Sequence, residues 1–113
     1  MTIKLTKNSS QTMLGEFELL ESISAKLRGL IGTTAQHRGV ILARCSSIHT
    51  CWMTYPLDVA FIDSRGVVIK SCRKLRPWHV RTARNAQWTI ERPCSTTVWL
   101  KEGDRIIFEG GIC

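Results

Sequence analysis

The sequence predicts a mainly β fold, a small β-sandwich or barrel of the jelly-roll kind with one short α-helix near the N-terminus. Short runs rich in β-branched and aromatic residues recur along the chain, and Gly, Pro, Asn and Asp separate them. The 113 residues are 43% hydrophobic and 22% charged, which is an ordinary globular composition. This length predicts one domain with a single core.

The first elements are a strand and the helix. Glu16 to Leu20 is a short apolar-rich run that we interpret as a strand. In the segment Ser22 to Arg28 a serine can cap a helix, Ile23 and Leu27 share one helical face, and Gly29 ends it. This segment therefore predicts the short helix.

The rest of the chain predicts short strands. Asp63 to Gly66 has the composition of a hairpin loop. Strands or extended segments are predicted at Gly39–Ala43, Ile48–Met53, Val59–Asp63, Val67–Lys70, Leu75–Val80, Gln87–Glu91 and Arg105–Phe108. We expect residues 1–15 to be an N-terminal extension or first strand, 16–108 the single β domain, and 109–113 a tail.

Positive charge is concentrated in one block. The net charge is +7, and between Ser64 and Ile90 there is no Asp or Glu. That stretch contains Arg65, Lys70, Arg73, Lys74, Arg76, Arg81 and Arg84, together with Trp78, His79 and Trp88. Such a block could bind a polyanion such as nucleic acid, or it could be a solvated rim whose side-chain stems cover apolar surface.

The five cysteines do not form a recognisable framework. Their number is odd, and no two of Cys45, Cys51, Cys72, Cys94 and Cys113 have the two-residue spacing of a redox or zinc motif. No secretory signal and no membrane-spanning stretch is visible, so we expect a cytoplasmic protein with free thiols.

A second candidate chemistry lies on the predicted strand Ile48–Met53. His49, Cys51 and Met53 alternate there, so on a strand they would share one face. Such residues could ligate a metal or pair a thiolate with a base, which would make a thiol- or metal-dependent enzyme centred on His49 and Cys51. A full ligand set is missing, so no metal and no cofactor is predicted, and an inert buried thiol explains Cys51 equally well.

Four further residues are candidates for a functional surface. Asp58 follows a proline turn into an apolar strand, where it caps the turn or has a raised pKa, and Arg28 could bridge to it. Most of the four tryptophans are expected in the core, but Trp78 in the basic block could contact a ligand, with Arg76 supplying an anion contact. With His49 and Met53, these residues form the candidate surface.

Five ordered motifs resemble the Domain of Unknown Function 192 family, over about residues 16–108. They are Ala25–Gly32, Ile48–Met53, Pro56–Asp63 followed by Gly66–Val68, Leu75–Trp78, and Gly103–Ile106. The resemblance implies a small β-sandwich or barrel with one short helix, in a bacterial or archaeal family whose activity is not established. The chain departs from the family pattern at Ile90–Ser95, where relatives have a Pro, Ala, Gly turn.

The sequence thus favours a small binding or accessory module with no assignable reaction over an enzyme. Its partner would be a protein or a small anionic ligand. The alternatives are the enzyme centred on His49 and Cys51 and the polyanion binder that uses the block from Arg65 to Arg84. Exposed sheet edges are compatible with a monomer or a homodimer.

Overall fold

The computed structural model describes residues 2–7, 12–22, 29–34 and 38–109. Within these residues the protein is mainly β, as predicted. The strands are β1 (Thr2–Lys7), β2 (Thr12–Leu20), β3 (Gly39–Ala43), β4 (Ser47–His49), β5 (Leu57–Ile62), β6 (Val68–Leu75), β7 (Val80–Thr82), β8 (Trp88–Pro93) and β9 (Ile106–Glu109).

Seven strands form one curled sheet in the order β6-β5-β8-β3-β2-β1-β9. The β2–β3 pair is parallel, and the other pairs are antiparallel. A bridge between Val67 and Arg105 joins the two edge strands at one end, and Val68 N donates a hydrogen bond to Asp104 O at 2.8 Å. The sheet is therefore a half-barrel, partly closed where β6 and β9 begin.

Apolar residues cover both faces of the central strands. All six residues of β5 and all five of β3 are buried. Along β5, Leu57, Val59 and Phe61 contribute to one apolar cluster, while Ala60 and Ile62 contribute to the other. This alternation follows from the period of two along a strand, and it explains why every residue of β5 except Asp58 is apolar.

The predicted short helix is not confirmed. The described residues contain no helix, and residues 23–28, over which most of it was placed, lie outside the described residues. Among the residues that the structure describes there is no helix of the length and apolar character needed to cross a membrane.

Two predicted strands are too long. The strand expected over Ile48–Met53 ends at His49, and the one expected over Leu75–Val80 is interrupted between β6 and β7. The physical reason is a reversal of the backbone inside each segment, where Trp52 has φ 70° and Trp78 has φ 68°. A positive φ is incompatible with an extended strand.

Candidate functional site

A separate two-stranded sheet, β4 with β7, supports the candidate site. His49 lies opposite Val80, and Ile48 lies opposite Arg81. The loop that follows β4 and the loop that precedes β7 therefore leave the small sheet at the same end. Those two loops carry Trp52 and Trp78.

Thr50 ties the two loops together. Its side chain is fully buried, and its hydroxyl donates to Arg76 O at 2.7 Å while accepting from His79 N at 2.9 Å. Its backbone N–H donates to His79 O at 2.8 Å, and its carbonyl accepts from Met53 N and Trp78 N, both at 3.1 Å. One residue therefore satisfies backbone groups of both loops, and it fixes their relative position.

The tryptophan pair, Trp52 and Trp78, is the main feature of this end of the molecule. The two residues are 69% and 59% exposed, and their rings touch edge to face with centroids 4.8 Å apart and an interplanar angle of 62°. Large apolar side chains at positive φ on the surface carry a cost in strain and in hydration, and such strain concentrates at functional sites. The pair is therefore the strongest candidate contact site among the described residues.

Polar and basic groups surround the tryptophan pair. Arg76 and His79 are exposed in the same loop as Trp78, and His49 is exposed at the end of β4. The Nδ1 atom of His79 lies 3.0 Å from both Arg76 O and Pro77 O. Because carbonyl oxygens only accept, Nδ1 carries the proton, and Nε2 of a neutral His79 is the acceptor.

The structure separates the residues of the candidate thiol or metal site. His49 is exposed, Cys51 is half-buried in the turn after β4, and Met53 is buried in the core. The prediction that the three share one strand face is wrong, because the chain turns after Thr50 and Met53 N donates back to Thr50 O. No group of three or more metal-ligating side chains occurs within the described part of the chain.

Asp58 lies in the interior, away from the exposed surface predicted for it. It is fully buried and accepts from Arg92 Nε at 2.9 Å, while Arg73 Nη2 lies 3.7 Å away. Its carboxylate also accepts from the backbone N–H groups of Lys74 and Ser95. Asp58 therefore orders the loop after β8 against β6, and its predicted partner Arg28 lies outside the described residues.

Sequence reasoning missed the partner of Asp58. Arg92 is only 7% exposed, its guanidinium carbon lies 4.4 Å from the centroid of the Trp99 ring, and Nη2 donates to Thr97 O. Asp58 and Arg92 lie on neighbouring strands but are 34 residues apart in sequence. Only the β5–β8 register brings them together, so no local signal identified the pair.

Glu91 was also missed. It is 3% exposed in the middle of the sheet, and desolvation raises the pKa of its carboxyl to about 7. Burial likewise raises the pKa of Tyr55, whose hydroxyl is hydrogen-bonded to the hydroxyl of Thr33, and the charge of Glu91 adds to that rise. A carboxyl that is neutral at moderately acidic pH explains how Glu91 fits between apolar neighbours.

An open groove of about 520 Å³ lies between the start of β2 and the segment after β8. Its lining includes Glu16, Phe17, Arg38, Arg92 and Cys94, of which Glu16, Arg38 and Cys94 are exposed. None of the residues around the tryptophan pair lines this groove. The groove and the pair are therefore separate features.

The fold defines the chain as a small, mainly β half-barrel protein, and the site adds an exposed pair of tryptophans beside basic side chains. The sequence matches the DUF192 family, described as Uncharacterized ACR, over residues 3–108. The chain belongs to this family, as its ordered motifs predicted. No curated protein is significantly similar to it in sequence.

Two solved structures share the fold. One is a protein of unknown function from Novosphingobium aromaticivorans DSM 12444, with a TM-score of 0.74 and 18% identity over 95% of this chain and 84% of the other. The second is a candidate transcription regulator from Sinorhizobium meliloti 1021, with a TM-score of 0.78 and 19% identity over 95% of this chain and 92% of the other. At these identities the likeness establishes the fold alone.

Proposed function

We propose that this protein is a small binding module that holds an anionic partner against the tryptophan pair. The observation that carries the proposal is the edge-to-face contact of two exposed indoles on backbone of positive φ. Buried Thr50 holds both loops, because its carbonyl accepts from Trp78 N and from the N–H of Met53, the residue after Trp52. Pre-ordered aromatic side chains bind with little loss of conformational entropy, which makes them effective contact residues.

The sign of the partner's charge follows from the surrounding side chains. The stretch from Ser64 to Ile90 contains both Trp78 and the seven-residue basic block and has no acidic residue. Arg76 is exposed two positions before Trp78, and its carbonyl is bound by the hydroxyl of Thr50. An exposed cation in the same loop as an exposed aromatic ring favours an anionic ligand that also presents an apolar or ring surface.

The enzyme alternative has less support. His49 and Cys51 do not share a strand, and Cys51 is half-buried in a turn. A nucleophile needs a base within hydrogen-bonding distance and a third group that orients the base, and the described hydrogen bonds include no such arrangement at Cys51. A binding function requires only that Trp52, Arg76 and Trp78 are exposed, and all three are.

Heparin chromatography tests the proposal, because heparin combines negative charge with ring surfaces. Arg76→Ala and the matched control Arg65→Ala each remove one exposed positive charge, so they have the same net charge. We expect Arg76→Ala and Trp78→Ala to elute at lower NaCl concentration than the wild type and than Arg65→Ala. Equal elution of Arg76→Ala and Arg65→Ala, with no effect of Trp78→Ala, would mean that net charge alone retains the protein.

A further inference from the structure

We infer that the partner bound at the tryptophan pair is single-stranded nucleic acid, with bases stacked on the indoles and phosphates paired with nearby cations. This inference rests on the proposed function and names its ligand class.

The edge-to-face geometry leaves at least one face of each indole uncovered by the other indole. With centroids 4.8 Å apart and planes inclined at 62°, Trp52 and Trp78 already occupy the space between them. A flat ring therefore cannot enter between the indoles, but it can stack on the exposed face of either one. Two neighbouring bases that each stack on one indole would be inclined to each other by a similar angle, which requires that they unstack from one another.

This geometry selects single strands. In a duplex each base face is covered by the next base pair, whereas in a single strand the faces are free to stack on aromatic side chains. Stacking on a ring face is tolerant of sequence because every base has such a face. We therefore expect a binder that prefers single strands to duplexes and discriminates little between bases.

The charges lie where phosphates would pass. Lys74 is exposed near the end of β6, and Arg76 is exposed just after that strand, two residues before Trp78. Hydrogen bonds hold the backbone of both residues in place, because Lys74 N donates to the buried carboxylate of Asp58 and Arg76 O accepts from the buried hydroxyl of Thr50. Their long side chains can then reach phosphates on either side of a base stacked on Trp78.

Other ligand classes use only part of this surface. An acidic peptide would pair with Lys74 and Arg76 but offers few ring faces for Trp52 and Trp78. A neutral sugar would stack on the indoles and leave the cations without partners. Single-stranded nucleic acid alternates ring and anion along one chain, and it satisfies both sets of residues at once.

The test uses fluorescence anisotropy with fluorescein-labelled dT12 and the 113-residue chain. We expect measurable binding at 50 mM NaCl, and weakening by about sevenfold at 200 mM NaCl if two phosphates are neutralised. Trp78→Ala and Trp52→Ala should each weaken binding by about tenfold or more, because stacking of a base on an aromatic side chain is lost. Trp78→Phe keeps a ring face and should retain most of the affinity.

Arg65→Ala is the matched control for Arg76→Ala. Arg65 is exposed before the start of β6, whereas Lys74 lies near the other end of this strand and Arg76 lies just beyond it. The eight residues of β6 span about 23 Å. We expect Arg76→Ala to weaken dT12 binding more than Arg65→Ala does. Circular dichroism melting of every variant separates a loss of binding from a loss of folding.

Two further probes separate this inference from the proposed function. A twelve-residue abasic oligonucleotide keeps the phosphates and lacks the bases, and a twelve-base-pair duplex hides the base faces. Both should bind at least about tenfold more weakly than dT12. Equal binding of the abasic strand, or no binding of dT12 at 50 mM NaCl, would overturn the inference. If Arg76→Ala and Trp78→Ala nevertheless eluted from heparin at lower NaCl concentration than Arg65→Ala, the proposed function would stand without this ligand class.

Discussion

Asp58→Ala should lower the free energy of unfolding by about 3–5 kcal/mol, the range for breaking a buried ion pair. Asp58 is fully buried, and its partner Arg92 is 7% exposed with the Nε to Oδ2 distance at 2.9 Å. Removal of the carboxylate leaves the buried guanidinium without its counter-charge and also leaves the N–H groups of Lys74 and Ser95 without an acceptor. Urea unfolding followed by tryptophan fluorescence measures the change.

Arg73→Ala is the matched control for this prediction. The side chain of Arg73 is 48% exposed and lies 3.7 Å from the same oxygen of Asp58, so its ion pair is weakened by solvent. We expect a clearly smaller loss of stability from Arg73→Ala than from Asp58→Ala. Equal losses would show that the buried pair with Arg92 does not dominate this network.

Glu91→Gln should change how stability depends on pH. The pKa of Glu91 is raised from 4.5 to about 7 by burial. Folding therefore favours the protonated form, so the carboxyl imposes little cost below its unfolded pKa, and the cost grows as the pH rises from about 4.5 to about 7. A shift of this size corresponds to about 3 kcal/mol of unfolding free energy at pH 8.

Unfolding experiments at pH 5 and pH 8 measure this effect. The glutamine is neutral at both pH values, so Glu91→Gln should lose less stability than the wild type between pH 5 and pH 8. Glu16→Gln is the control because Glu16 is exposed on β2, and it should behave as the wild type does. A pH dependence of Glu91→Gln equal to that of the wild type would contradict the role of Glu91.

The sequence predicted the fold class because local residue preferences and turn chemistry determine the strands. The strand at Gly39–Ala43 has the predicted bounds. The predicted hairpin loop is confirmed, since Asp63 accepts from the N–H groups of Arg65 and Val67. These contacts also lower the pKa of the Asp63 carboxyl, with the bond from Val67 contributing most. Each of these hydrogen bonds joins residues that are at most four positions apart, so the local sequence is enough to predict the loop.

The strand ends at His49 and Leu75 were not predictable in the same way. Their positions depend on the positive φ of Trp52 and Trp78, and tryptophan at those positions favours an extended strand by its own preference. The turns are stabilised by hydrogen bonds from both loops to Thr50, and Thr50 is separated from His79 by 29 residues. A contact over that distance overrides the local preference.

The candidate site was predictable only in part. Trp78 and Arg76 were identified from the basic block, and both are exposed. Trp52 was assigned to a strand of the core, but it is exposed beside Trp78. Met53 was included in the candidate surface because it alternates with His49 on a predicted strand, and Asp58 because it follows a proline turn, yet both are buried. Burial of these residues depends on strand pairing, which composition does not specify.

The most direct test of binding at the tryptophan pair is a nitrogen-15 NMR spectrum of the four indole N–H groups during titration with dT12. Trp52 and Trp78 are exposed, whereas Trp99 is buried with its indole N–H donating to Val59 O, and Trp88 packs against Phe108. Trp→Phe variants assign the four signals. We expect the Trp52 and Trp78 signals to shift and the other two to stay. Binding that shifts only Trp88 or Trp99, or no indole, would contradict the assignment of the site.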